Sequence, residues 1–221
     1  MYLGEMALLI VSILVMTGLA KGITERLRFN EFAAAFLIFL IVLLNVRGSV
    51  RLTRDFSLSL GGVLSVLVGF YTLFKRADEG RDVLLGLLSM IGTAGIAFLY
   101  SYFFLEQAPM DPRLLATLLS LLTGLWCAVS AKRTFSSCLF SALVGSFIGI
   151  AAYQIFFRKS GNIGGSYAFT VMWFSAIVGL VLQYLFTMMM RAVNSPRANS
   201  YFEAGEMKEE ETKEDKEKEE N

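Results

Sequence analysis

Very few side chains in this chain could do chemistry. Gln154 stands near the end of one long apolar run, Gln183 in the second half of another, and Asn45 closes a third. Each can hydrogen-bond a neighbouring helix, for about 0.6 kcal/mol in a membrane setting. The same amides can face a ligand, so Gln154 and Gln183 are also the candidates for a polar path. Asn162, Ile163, Gly164, Gly165 and Ser166 follow Arg158 and Lys159. Glycine backbone amides beside two cations can hold an anion, or the stretch is simply a flexible turn. A phosphate loop is excluded, because the Gly-Lys-Ser/Thr ending is missing.

Other chemistries lack their reagents. The chain has no histidine, which removes imidazole metal sites, Ser–His and Cys–His catalysis and imidazole pH sensing. Cys127 and Cys138 flank Lys132 and Arg133 at similar distances, so adjacent antiparallel helices would bring them to similar depth. They read as small packing residues rather than a disulfide. No Asp, Glu, Lys or Arg falls in the middle of an apolar run. Embedded charges mark proton relays, ion paths and voltage sensors, so their absence argues against a proton-coupled pump or a charge-lined channel. An intramembrane aspartyl protease would need two buried carboxylates. Glu5, Glu31 and Glu106 stand at run ends and read as solvated. No enzyme, cofactor, metal or nucleic-acid partner is expected.

The elements that must position these residues are apolar helices. Of 221 residues 55% are apolar and only 18% charged, whereas a soluble domain carries about a quarter charged residues. Seven apolar stretches occupy 3–20, 32–46, 58–74, 83–105, 114–131, 135–157 and 167–190. A crossing of the ~30 Å hydrocarbon core takes about 20 residues. The fold class is therefore all-α, a polytopic transmembrane bundle of about seven spans. The second run is short and is either a strained crossing or a re-entrant segment, which would leave six. The first run lacks a basic leader and carries Glu5, so it reads as a retained helix rather than a secretory signal.

Charge divides the chain in two. Residues 1–202 carry a net of +7 and residues 203–221 a net of −6. The bundle domain is 1–193, followed by a charged tail, 194–221, which cannot bury a core and reads as disordered. Its acidic part, Glu203 to Asn221, is the candidate surface for a protein partner. With seven spans and the N-terminus outside, short loops place ten Lys/Arg on the inner side against six outside. The positive-inside rule then puts the C-terminus in the cytosol. Arg47, Arg51 and Arg54 are the discordant group; at i, i+4 and i+7 they would share one helical face that can meet anionic headgroups. Tyr71, Tyr100, Tyr102, Tyr153, Tyr184, Trp126 and Trp173 read as an interfacial aromatic belt.

Small residues recur every four positions: Ser57, Gly61, Ser65 and Gly69; Ser89, Thr93, Ala97 and Ser101; Ala116, Ser120, Gly124 and Ala128; Ser137, Ser141, Gly145 and Gly149; Ser175 and Gly179. Helices in lipid associate by close backbone packing, which such stripes permit. Gly61, Ser65, Gly69, Gly145, Gly149 and Gly179 are thus candidate packing positions. The stripes place the compact core in spans three to seven, with the first two peripheral. They could alternatively line a narrow hydroxyl path. The G-x-x-x-G of Gly145 and Gly149 could pair helices within one chain or in a homo-oligomer.

Two segments carry a resemblance. Ser57, Leu58, Ser59, Leu60, Gly61 and Gly62 open a span with a small-Leu-Gly-Gly pattern. Gly145 to Gly149, then Asn162, Ile163, Gly164, Gly165 and Phe169, follow later. Over about residues 57–185 this resembles a prokaryotic family of multi-pass membrane proteins of unknown function. The family places an acidic residue after each of the two later segments; here Ile150, Ala151, Ala152 and Thr170 stand there. The resemblance implies a cytoplasmic-membrane location and no activity. Function is expected to be that of a non-catalytic scaffold or regulatory membrane component held in the lipid bilayer. The alternative is a small permease, or permease subunit, for a neutral or weakly polar solute.

Overall fold

The computed structural model describes residues 3–18, 25, 30–76, 80–107, 111–130 and 134–193. Seven main helices succeed one another along these residues. They are α1 (Leu3–Met16), α2 (Glu31–Arg47), α3 (Leu60–Arg76), α4 (Gly80–Gln107), α5 (Pro112–Ser130), α6 (Phe135–Arg158) and α7 (Ser166–Val193). Four of them contain stretches long and apolar enough to cross a membrane: Gly80–Leu105, Pro112–Ser130, Phe135–Arg158 and Ser166–Met190. α1, α2 and α3 are apolar but shorter. Leu67, Phe74, Leu88, Ile91, Val129 and Phe156 are all more than half exposed. So much bare apolar surface suits lipid rather than water.

Local chemistry sets several helix ends. Asn30 starts α2 by accepting the Phe32 amide at 3.0 Å. Asp111 starts α5 by accepting the Arg113 amide at 2.9 Å, with Pro112 in the first helical position. α6 ends at Lys159, whose φ of 53° is left-handed and whose amide returns to the Gln154 carbonyl.

A small sheet lies between these helices and was not foreseen. β1 (Ser49–Arg51) pairs antiparallel with β2 (Phe56–Ser59), and β2 pairs parallel with β3 (Gly161–Ile163). The sheet ties the α2–α3 junction to the α6–α7 junction and so defines one end of the bundle. Arg51 accordingly lies in a strand and Arg54 in the bend after it, so no helical face unites them with Arg47. Ser57 belongs to β2, and α3 begins only at Leu60. The glycine-rich connection expected to be a loose turn holds β3.

Helix α6 is the centre. Its apolar window is 78% buried, against 22% for α4. It is not uniform: Ser141–Gly145 and Gln154–Arg158 are π-helical. Ala97, Ala116, Leu119, Ile150, Ala168 and Val171 join α4, α5, α6 and α7 in one apolar cluster. α1 and α2 pack antiparallel, with Ser12 Oγ donating to the Ala35 carbonyl and Val15 against Ala34 and Ala35. The second apolar run is thus one continuous helix, α2, packed against α1. One compact unit ends at Gln183. A second begins at Tyr184, and its described part is the remainder of α7, to Val193. The acidic tail lies outside the described residues.

Candidate functional site

The packing glycines sit where backbones nearly touch. A Cβ on Gly149 would stand 2.4 Å from the Ala94 carbonyl oxygen, and one on Gly145 2.8 Å from that of Met90. Both press α6 onto α4. Gly61 faces Asn45 of α2, Gly69 faces Val144, and Gly179 faces Cys138 Sγ. Ser65 is fully buried and accepts the Trp173 indole N–H at 2.8 Å. Trp173 thus stands inside the bundle, not in an interfacial belt. Tyr153 is buried as well. Cys127 and Cys138 are free and buried, and both lie against Gly179.

Polar groups gather in three places. The first is a hydroxyl cluster among α4, α5 and α6, in the half away from the sheet. Ser141 Oγ lies 2.8 Å from both Ser89 Oγ and Thr93 Oγ1, and Ser89 Oγ also meets Ser130 Oγ. Cys127 Sγ approaches Thr93 and Ser141 at 3.3 and 3.4 Å. Ser141 opens the first π-helical segment.

The second place lies at the sheet end, around Glu5. This carboxylate is only 4% exposed, contrary to the solvated position expected for it. Asn45 Nδ2 donates to Glu5 Oε1 at 2.9 Å, and Ser59 Oγ donates to Asn45 Oδ1 at 2.7 Å. The reason is tertiary: Gly4 lets α1 lie directly on α7, its Cβ position falling 2.5 Å from Thr170 Cα. Beside this chain Gly62 meets Gly164, with 3.0 Å from a Cβ position to the Gly164 Cα. Gly62 and Gly164, 102 positions apart, are thus in backbone contact. Gly164, at φ 74°, has the left-handed backbone that glycine accepts without strain.

The third is a cavity of about 350 Å³ between the start of α5, the end of α6 and the start of α7. Arg113 reaches it from α5, and Gln154 and Arg158 from the second π-helical segment of α6. Asn162 and Gly165 close it from the turn, and Ser166, Tyr167 and Thr170 from α7. Its floor is apolar, with Ala116 and Ala168 from the central cluster. Arg113, Arg158 and Asn162 are exposed, so the mouth is open. Gln154 Oε1 is enclosed and has no hydrogen-bond donor among the described residues. No Asp or Glu lines the cavity among the described residues.

Gln154 thus lines this cavity, whereas Gln183, buried late in α7, does not line it. Arg158 and Asn162 had been marked as a possible anion group. Arg113, Tyr167 and Thr170 had not, and only their convergence reveals them. Glu5 offered a signal in the sequence, a carboxylate two residues inside an apolar helix. Among the described residues, no three of Cys, Asp and Glu converge as a metal set. No family model, curated protein or solved structure matches the chain.

Proposed function

We propose that this chain is a multi-pass membrane protein that binds a small polar solute, as a permease or the solute-holding subunit of one. The observation that supports it is the cavity lined by Arg113, Gln154, Arg158 and Asn162 at one end of an apolar bundle. Pockets with an apolar floor and a few convergent polar groups are the usual form of a small-molecule site. The hydroxyl cluster of Ser89, Thr93 and Ser141 supplies polar groups in the other half. All seven helices are read as spans, with the sheet outside and the C-terminus in the cytosol of a prokaryotic cell. The Lys/Arg balance of the loops favours that orientation. The likeness of residues 57–185 to the prokaryotic multi-pass family agrees with that location and adds no activity.

Purified protein in proteoliposomes should carry a polar solute. Gln154→Ala should slow flux through the cavity, and Gly145→Leu should block it by prising α6 from α4. Absence of flux across a broad panel of solutes would sink the permease reading. A scaffold or regulatory role is the second reading, supported by the net −6 of residues 203–221. It requires a protein partner that is captured by the full chain and lost from a chain ending at Ser200. Recovery of no partner by either form would remove it.

A further inference from the structure

We propose that the cavity at the sheet end is an anion site for a phosphate group bearing a small organic substituent. This rests on reading the cavity as a ligand site and names its ligand class. Two arginines from different helices, Arg113 and Arg158, line one space of about 350 Å³. Guanidinium stays protonated and presents a planar fork of donors that matches oxyanions. No carboxylate among the described lining residues offsets their charge. Asp111, two residues before Arg113, accepts the Arg113 amide in capping α5. The acidic neighbour on the turn side is Asp55, whose carbonyl accepts the Gly161 amide.

The third wall adds donors. Gly165 is the residue before α7, since the Phe169 amide returns to its carbonyl. The amides of Ser166, Tyr167 and Ala168 therefore have no acceptor within the helix. All three residues line the cavity. They carry the partial positive charge of a helix start, which favours phosphate. Gln154 adds a polar side chain to the same lining, and its enclosed Oε1 has no donor among the described residues. The phosphate oxygens would meet the arginine forks and the amides at the start of α7. The volume exceeds that of a bare phosphate, so a substituent has room over the Ala116 and Ala168 floor.

A free phosphate monoester and a phospholipid headgroup both present anionic phosphate oxygens to such a site, and the test separates them. Full-length protein in phosphatidylcholine nanodiscs is titrated with glycerol 3-phosphate and with inorganic phosphate. Separately, protein extracted from phosphatidylglycerol membranes is weighed by native mass spectrometry for retained lipid. Arg113→Gln and Arg158→Gln remove one fork each. Arg81→Gln, exposed at the opposite end, is the control. Saturable binding of glycerol 3-phosphate, weakened at least tenfold by either cavity variant and unchanged in the control, supports a soluble ligand. Retention of phosphatidylglycerol only, lost in both cavity variants, supports a lipid ligand. Wild type and cavity variants that behave alike with every probe, including no binding by any, overturn the anion site. Because both arginines are exposed, unchanged melting temperatures should show the variants folded; Arg158→Lys should then restore part of the affinity by keeping the charge. Flux of neutral polar solutes without any phosphate or lipid binding would leave the transport reading and remove this one. Phosphate binding without flux would do the reverse.

Discussion

At the scale of single residues, Glu5 changes the account most. A carboxylate enclosed where α1, α2 and α3 meet is held by an ordered chain of donors, Asn45 to Glu5 and Ser59 to Asn45. The order of that chain has a measurable consequence. Asn45→Leu withdraws a donor from a buried carboxylate oxygen and should cost about 1–3 kcal/mol. Ser59→Ala removes the outer link and the hydroxyl that accepts the Gly62 amide at 3.4 Å, and should cost about 0.5–1 kcal/mol. Thermal unfolding in detergent should rank them in that order; equal losses would mean that Asn45 acts by packing alone. The local sequence around Glu5 shows a carboxylate inside an apolar helix, but not what holds it. Its donor comes from 40 positions downstream, and the approach depends on Gly4 meeting Thr170.

Among the elements, spacing of small residues carries most of the information. Gly149 and Gly95 both stand in helices, yet their surroundings are opposite. A Cβ on Gly149 would meet the Ala94 carbonyl at 2.4 Å, and one on Gly95 meets nothing within 4 Å. Gly149→Ala should therefore destabilise by about 1–3 kcal/mol through overpacking. Gly95→Ala should be neutral or stabilising by up to about 1 kcal/mol, from helix propensity alone. Melting curves of the two variants check both signs. The helices were legible because long apolar runs admit few alternatives. The strands were not, since three or four residues such as Ser49–Arg51 carry no alternation to read, and the partner that completes the sheet on β2 lies about 100 positions away. The π-helical turns at Ser141 and Gln154 left no pattern either. The cavity was half legible: Arg158 and Asn162 are neighbours in sequence, but Arg113 joins them only because the ends of α5 and α6 are brought together.

For the whole molecule, the sheet fixes which connections share an end. β2 bonds to β1 and β3 alike, so the 49–59 hairpin and the 158–165 turn belong to one side of a membrane. Thr53→Cys and Ser160→Cys, made in a Cys127→Ala, Cys138→Ala background, should react with an impermeant thiol reagent from outside intact cells. Lys75→Cys and Arg81→Cys should react only after permeabilisation. The reverse pattern would invert the orientation and leave the fold intact. Separation of Thr53 from Ser160 would contradict the fold itself. The segments expected to face the cytosol hold ten of the sixteen Lys/Arg in residues 1–202, which is the basis of the expected direction.

In the proposed reading, the apolar bundle carries an open, cationic cavity that holds a ligand. Ser166→Cys, in the same cysteine-free background, tests it in one measurement, because Ser166 lines that cavity at the start of α7. A negatively charged methanethiosulfonate should modify this cysteine in nanodisc-embedded protein, and glycerol 3-phosphate or phosphatidylglycerol should slow the reaction severalfold. A cysteine that stays unmodified, or one modified at the same rate whichever phosphate compound is present, would contradict the account.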